Sequence, residues 1–232
     1  VTSDEGVLYE KAYKIDVLAY DEWGGMNVLP EMLAAFVTPN HPDIAPIIKR
    51  ASAILEKWTG NPSFDEYQTK NPDRAQKQMA AIYEAISERQ VVYCSVPASF
   101  ETYGQRVRTI DTVLNQQLGN CLDVTLLYAS CLEAVGLRPI LVVIKGHAFV
   151  GAWLIDEAFA DSINDDQSLL TKRVADGINE IAVLEATSMN AGKSITFDEA
   201  LVQGINHLAN DDKFLFFIDV KRARYGGIMP IP

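Results

Sequence analysis

The spacing of apolar residues changes character midway along the chain, from helical periodicity to β-rich runs. Near-alternating apolar positions from Val7 to Tyr20 predict a strand, stopped by Glu22-Trp23-Gly24-Gly25. Pro30 to Val37 and Asp43 to Trp58 predict helices, the second ended by Gly60 and Pro62. Asp73 to Glu88 predicts another, with Met79, Ile82, Tyr83 and Ile86 at helical spacing. Val91 to Tyr103 is irregular, and its Tyr93, Phe100 and Tyr103 serve either packing or a substrate wall.

A short helix over Ile110–Gln117 leads to Gly119 and to Asn120, a natural N-cap for a helix reaching Val135. That helix carries Val124, Leu127, Cys131, Leu132 and Val135 on a broad apolar stripe; Gly136 caps it and Pro139 blocks its continuation. Ile140–Ile144 and His147–Ile155, separated by Lys145-Gly146, predict an antiparallel hairpin. Period two then places His147, Phe149, Gly151 and Trp153 on one face. Residues 156 to 179 are polar and acidic, with a short helix near Leu169–Ala175. Glu180–Thr187 predicts a third strand, Thr196-Phe197-Asp198-Glu199 a capping box opening a helix to about Leu208, and Phe214–Val220 a last strand.

Composition changes this picture in a few respects. A chain of 232 residues buries roughly 70% of its unfolded surface and needs neither disulfides nor a metal to fold. A net charge of −11 argues against nucleic-acid binding by this segment. Cys94, Cys121 and Cys131 are odd in number without zinc-like spacing, and His41, His147 and His207 are scattered, so no metal or cofactor is expected. Unpaired cysteines point to a reducing, cytoplasmic setting. No stretch approaches a membrane span, and the start at Val1 leads us to expect a piece of a larger protein.

The chemistry gathers at Gly119-Asn120-Cys121-Leu122-Asp123 and Gly146-His147-Ala148-Phe149. A helix N-terminus favours thiolate over thiol and can hold a developing oxyanion. His147 on the adjoining strand is the candidate base, and Glu185 is the candidate group that orients it. A carboxylate within Glu180-Ile181-Ala182-Val183-Leu184-Glu185-Ala186-Thr187 needs a partner, because an unpaired buried charge is costly. Asp123 suits the helix dipole but would oppose thiol ionisation if aimed at the sulfur, so we expect it to point away and tie down a loop. Cys131 and Cys94 read as structural, and Trp153, on the His147 face, is a candidate substrate contact.

The run from Gly119 to Pro139, followed by Gly146-His147-Ala148-Phe149-Val150-Gly151-Ala152-Trp153-Leu154, resembles the core of the transglutaminase-like superfamily, relatives of papain-like cysteine enzymes. The resemblance covers residues 105 to 190 and implies Cys121 as nucleophile and His147 as base. Glu185-Ala186-Thr187 stands where Asp-Pro-Thr is usual, with Asp156 and Asp161 as alternative carboxylates. Trp23-Gly24-Gly25, Phe36-Val37, Pro39-Asn40, Tyr103 to Arg108 and Ile218-Asp219-Val220 further resemble a transglutaminase-like segment of very large bacterial proteins that carry helicase and nuclease-like regions. Gln105, Gln116 and Gln117 are candidates for a second oxyanion donor, with Gln105 favoured.

The expected architecture is α+β: a papain/transglutaminase-like core over 105–232, with the Cys121 helix on a small antiparallel sheet, and a strand plus helical extension over 1–104. The expected activity is hydrolysis or acyl transfer at an amide through a Cys121–His147–Glu185 triad and a thioester. Its partners would be a protein or peptide substrate and the other domains of the parent protein. The alternative is an inactive module of the same fold that binds a protein or peptide.

Overall fold

Why the chain folds around its cysteine helix follows from the composition of that helix, which is apolar on every side. The structure is a computed structural model describing residues 2–3, 6–7, 11–13, 17–65, 67–95, 104–209 and 211–232. Three short strands, β1 (Thr2–Ser3), β2 (Gly6–Val7) and β3 (Glu22–Trp23), precede a 3-10 helix at Pro30–Phe36. Helices α1 (Ile44–Thr59) and α2 (Pro72–Ser87) follow, then β4 (Val92–Tyr93), β5 (Gln105–Arg106), α3 (Ile110–Gln116) and β6 (Leu118–Gly119). Next come α4 (Cys121–Ala134), β7 (Pro139–Ile144), β8 (His147–Trp153), β9 (Ile163–Asn164), α5 (Ser168–Val174) and β10 (Ile181–Leu184). A second 3-10 turn (Ala186–Met189), α6 (Phe197–Leu208), β11 (Phe214–Asp219) and α7 (Val220–Tyr225) complete the chain.

The fold is α+β. Its main sheet has five strands in the order β10-β8-β7-β11-β9, and every neighbouring pair is antiparallel. The hairpin forms as the alternation predicts, with Ile144 opposite His147 across Lys145-Gly146. Gly146 sits at φ 76, a left-handed turn conformation that glycine adopts without strain.

Helix α4 lies across β7 and β8 and is covered on its other side by α1 and α2. Every residue from Leu122 to Leu132 is buried, as expected for a helix without a polar face. The buried side chains of α1, α2, α4 and the sheet form one cluster. On the far side Ser130 Oγ accepts a hydrogen bond from Thr38 N at 2.9 Å, and Tyr128 Oη donates to the Met79 carbonyl at 2.8 Å. These polar groups inside an apolar helix are therefore satisfied.

The first half departs from the sequence expectation at its start. Of the strand expected over Val7 to Tyr20, Val7, in β2, pairs with Thr2, whereas the described residues 11–13 and 17–20 are in no strand, and Tyr13, Val17 and Tyr20 are exposed. Alternation marks a strand only where a partner edge and a core face are present, and here neither covers these side chains. The third strand is shorter than expected and ends at Leu184, while the basic patch after β11 is helical as α7. Within the irregular stretch, Val92 and Tyr93 pair in parallel with Leu118 and Gly119; Phe100 and Tyr103 lie outside the described residues. No helix among the described residues is long and apolar enough to cross a membrane.

Candidate active site

The N-terminus of α4 is closed by a capping box. Asn120 Oδ1 accepts from Asp123 N at 2.9 Å, and Asp123 Oδ2 accepts from Asn120 N at 3.0 Å. The Asp123 carboxylate also accepts from Arg108 N at 2.9 Å and from the Arg108 guanidinium at 2.8 Å. All its hydrogen bonds therefore run to the cap and to the segment after β5, as the sequence argument required. Cys121 follows as the first helical residue, partly exposed, where backbone N–H groups have no partner within the helix.

Strand β6 leads directly into this cap, and β4 runs beside it. Tyr93 stands opposite Gly119, and Cys94 N donates to the Gly119 carbonyl at 3.0 Å. Tyr93 thereby borders Cys121, and burial together with the neighbouring Cys121 and Glu185 raises its phenol above the usual value. Trp23 on β3, Gln105 on β5, Cys121 and His147 surround a cleft of about 90 Å³, which Tyr93 also lines. That volume admits a slender group rather than a bulky ligand.

His147 opens β8 directly after the turn, so its ring stands at the lip of the sheet beside this cleft. Its Nε2 lies 2.6 Å from Glu185 Oε2, which leaves Nδ1 as the ring nitrogen not engaged by the carboxylate, on a residue that shares its cleft with Cys121. Burial works against the imidazolium, yet the adjoining Cys121 and Glu185 outweigh it and raise the group to about 9. Glu185 follows β10 directly and caps the 3-10 turn, accepting from Thr187 N at 2.8 Å through Oε1. Its own burial pushes the other way, but His147 and Thr187 hold it down at about 2. The carboxylate is ionised at neutral pH, so both neighbours donate to it.

A residue that the sequence offers only as one of three scattered histidines completes the cluster. His207 on α6 places Nε2 at 2.9 Å from the same Glu185 Oε2, with its ring centroid 5.0 Å from that of His147. Helix α6 reaches this position through Gly204, where an added Cβ would stand 2.7 Å from Leu184 N and Cα. Glu185 N also donates to the Ala200 carbonyl at 3.0 Å, fixing α6 against the end of β10. A glycine inside a capping-box helix, one turn before a histidine, was the available signal.

His147, Glu185 and His207 are also the one group of ligand-type side chains among the described residues close enough to share a cation, their donor atoms lying within 4.8 Å. The 2.6 and 2.9 Å contacts are hydrogen-bond distances, however. Donors around a tetrahedral zinc stand about 3.3 Å apart, given Zn–N near 2.05 Å. The present spacing is that of a carboxylate shared by two imidazoles.

Several expected residues lie elsewhere. Trp153 is at the opposite end of β8, buried, donating Nε1 to Asp219 Oδ2 at 3.0 Å, and it does not line the cleft. Period two assigned its face correctly but says nothing about which end of the strand meets the cleft. Gln117 turns outward at φ 49 and donates to the Arg89 carbonyl at 2.9 Å, while Gln116 is exposed. Asp156 pairs with Arg138, and Asp161 is exposed; Glu185 holds the imidazole instead. Cys131 is fully buried, which pushes its thiol far up. Family models, curated proteins and solved structures gave no match to this chain.

Proposed function

We propose that the chain is a cysteine-dependent amide hydrolase or acyl transferase with a transglutaminase-like core, acting on a protein or peptide. The observation that supports this most is a helix-N-terminal thiol that shares a cleft with an imidazole whose Nε2 is held by a buried, ionised glutamate at 2.6 Å. That arrangement meets the requirements of an activated nucleophile, its base and an orienting group.

In this reading the Cys121 thiolate attacks the amide carbonyl carbon. The oxygen takes the negative charge and faces the Cys121 backbone N–H, with the Gln105 side chain as second donor from across the cleft. The His147 imidazolium gives its proton to the departing nitrogen, the C–N bond breaks, and a thioester remains. Water or an amine then gives its proton to His147 as it attacks the thioester, which releases the thiolate. Glu185 keeps the imidazole in the tautomer with Nδ1 toward sulfur throughout. A neutral, narrow cleft suits an uncharged amide-bearing side chain or backbone segment. The acidic surface disfavours nucleic acid as a partner, and residence in the cytoplasm within a larger bacterial protein is part of the same proposal.

The test is labelling with a thiol-directed electrophile, resolved by site with mass spectrometry. Cys121 should react fastest of the three cysteines near neutral pH, and Cys121→Ala should abolish the rapid phase. Labelling of Cys94 and Cys121 at equal rates would favour the inactive binding module instead.

A further inference from the structure

We infer that His207 is a positioning residue: from α6 it pins the same oxygen of the Glu185 carboxylate, so that His147 presents Nδ1 to Cys121. The inference rests on the proposed Cys121–His147 chemistry and adds a fourth member to it.

A glutamate carboxylate turns freely at the end of its side chain. Its terminal torsion is broad and roughly two-fold, so a single hydrogen bond leaves the carboxylate free to swing about that contact. Glu185 is held at three points: Thr187 N on Oε1 at 2.8 Å, and His147 and His207 together on Oε2 at 2.6 and 2.9 Å. With Thr187 alone opposing His147, the carboxylate could turn with the imidazole. The second imidazole removes that motion, because it approaches from α6, an element independent of the hairpin that carries His147.

His207 is placed for this and is not merely adjacent. Gly204 lets α6 lie against the Leu184 backbone, and one turn later the chain meets Glu185. The His207 ring also rests against Phe149, with centroids 5.7 Å apart, which restricts its rotation. Its side chain is 39% exposed, against 5% for Glu185, so it forms the solvent-side wall over a buried charge. Removing it would admit water to Oε2, solvating the carboxylate and weakening its hold on the imidazolium.

The ionisable groups facing this cluster are His147 and Cys121 on the cleft side, Tyr93 on β4, Tyr83 on α2, and Lys193, whose Nζ reaches Thr187 Oγ1 at 3.2 Å. Glu84 and Glu199 lie beyond Tyr83. None of these takes over the place of His207 on Oε2 among the described contacts.

The experiment measures iodoacetamide alkylation of Cys121 against pH on the 232-residue chain, with the site assigned by mass spectrometry. His207→Ala should slow the reaction at pH 7 about tenfold, the order expected for losing one hydrogen bond to a charged group. It should also draw the alkaline inflection downward from about 9, where His147 loses its proton. His207→Gln, whose carboxamide N–H can donate to the same oxygen, should restore most of the rate and the inflection. Equal slowing by both variants would mean that His207 acts by packing alone and would overturn the inference. A wild-type rate and profile in His207→Ala would also overturn it, provided His147→Ala slows alkylation. If His147→Ala has no effect either, the proposed function itself falls.

Discussion

At one end of β8 the His147 imidazole meets the Glu185 carboxylate at 2.6 Å; at the other the Trp153 indole meets Asp219 at 3.0 Å. Both rings lie on the same face of the strand, both carboxylates are buried, and both carboxylates cap the element that follows them. The ends differ in what surrounds them. Trp153 is enclosed by Phe159, whose ring centroid is 4.8 Å away, and by Arg173 over its face, and Asp219 also accepts from Phe159 N and Arg222 N. An indole N–H only donates, so that end is a fixed staple between β8 and the end of β11. An imidazole has a second nitrogen, and at the His147 end it opens on a cleft beside a thiol. The same ring-to-carboxylate bond is sealed on every side at one end of the strand, and at the other it borders the cleft on which the proposed chemistry depends.

The largest effect separating the two ends should come from Trp153→Ala. Loss of a buried indole costs about 3–5 kcal/mol, and the orphaned Asp219 oxygen adds to it. Urea denaturation should show this loss, while Cys121 in the molecules that remain folded should alkylate at the wild-type rate. A coincident fall in that rate would mean the two ends are coupled. Next is Gly204→Ala, where the new Cβ would meet the Leu184 backbone at 2.7 Å. Forced separation of α6 from β10 should cost about 2 kcal/mol and slow alkylation as well, because His207 moves with the helix.

The smallest effect should be that of Glu185→Gln near pH 6, about 1.5 kcal/mol on global stability, the low end for a hydrogen bond to a charged group. Its signature lies in the pH dependence. Glu185 is depressed from 4.5 to about 2, so its contribution is present above about 4.5 and is lost as pH falls toward 2. His147 is raised from 6.5 to about 9, so its contribution is present below 6.5 and is lost as pH rises through 9. Thermal denaturation from pH 2 to 10 should show both limbs in the wild type and flatter limbs in the variant. Identical curves would mean that the pair contributes nothing to folding.

The parts of the fold legible in sequence were those whose neighbours are close in the chain. Helix α4 declared itself through Asn120, its apolar run and Gly136, and the β7–β8 hairpin through Lys145-Gly146. Cys121 and His147 were legible because a helix start and a hairpin start are local events. Glu185 was legible because a charge amid Ile181, Val183 and Leu184 demands a partner. His207 was not, since its contact depends on how α6 docks, which the close approach at Gly204 and the Glu185–Ala200 hydrogen bond determine. Gln117 shows the converse: proximity in sequence to Cys121 did not survive the left-handed residue that turns it toward Arg89.

The complete enclosure of α4 implies that the two halves of the cluster answer to different openings of the molecule. Amide hydrogens in a helix buried on every side exchange with solvent only when the whole domain unfolds, so those from Val124 to Leu132 should be among the last to take up deuterium. Helix α6 buries only Phe197, Ala200, Gly204 and Leu208, and fluctuations far smaller than global unfolding can lift it from β10. Cys121 thus rides on the most slowly exchanging part of the chain, and the pin on Glu185 rides on a part that opens early. Mild heating or low denaturant should therefore loosen the Glu185 carboxylate while the thiol still sits capped at the start of its helix.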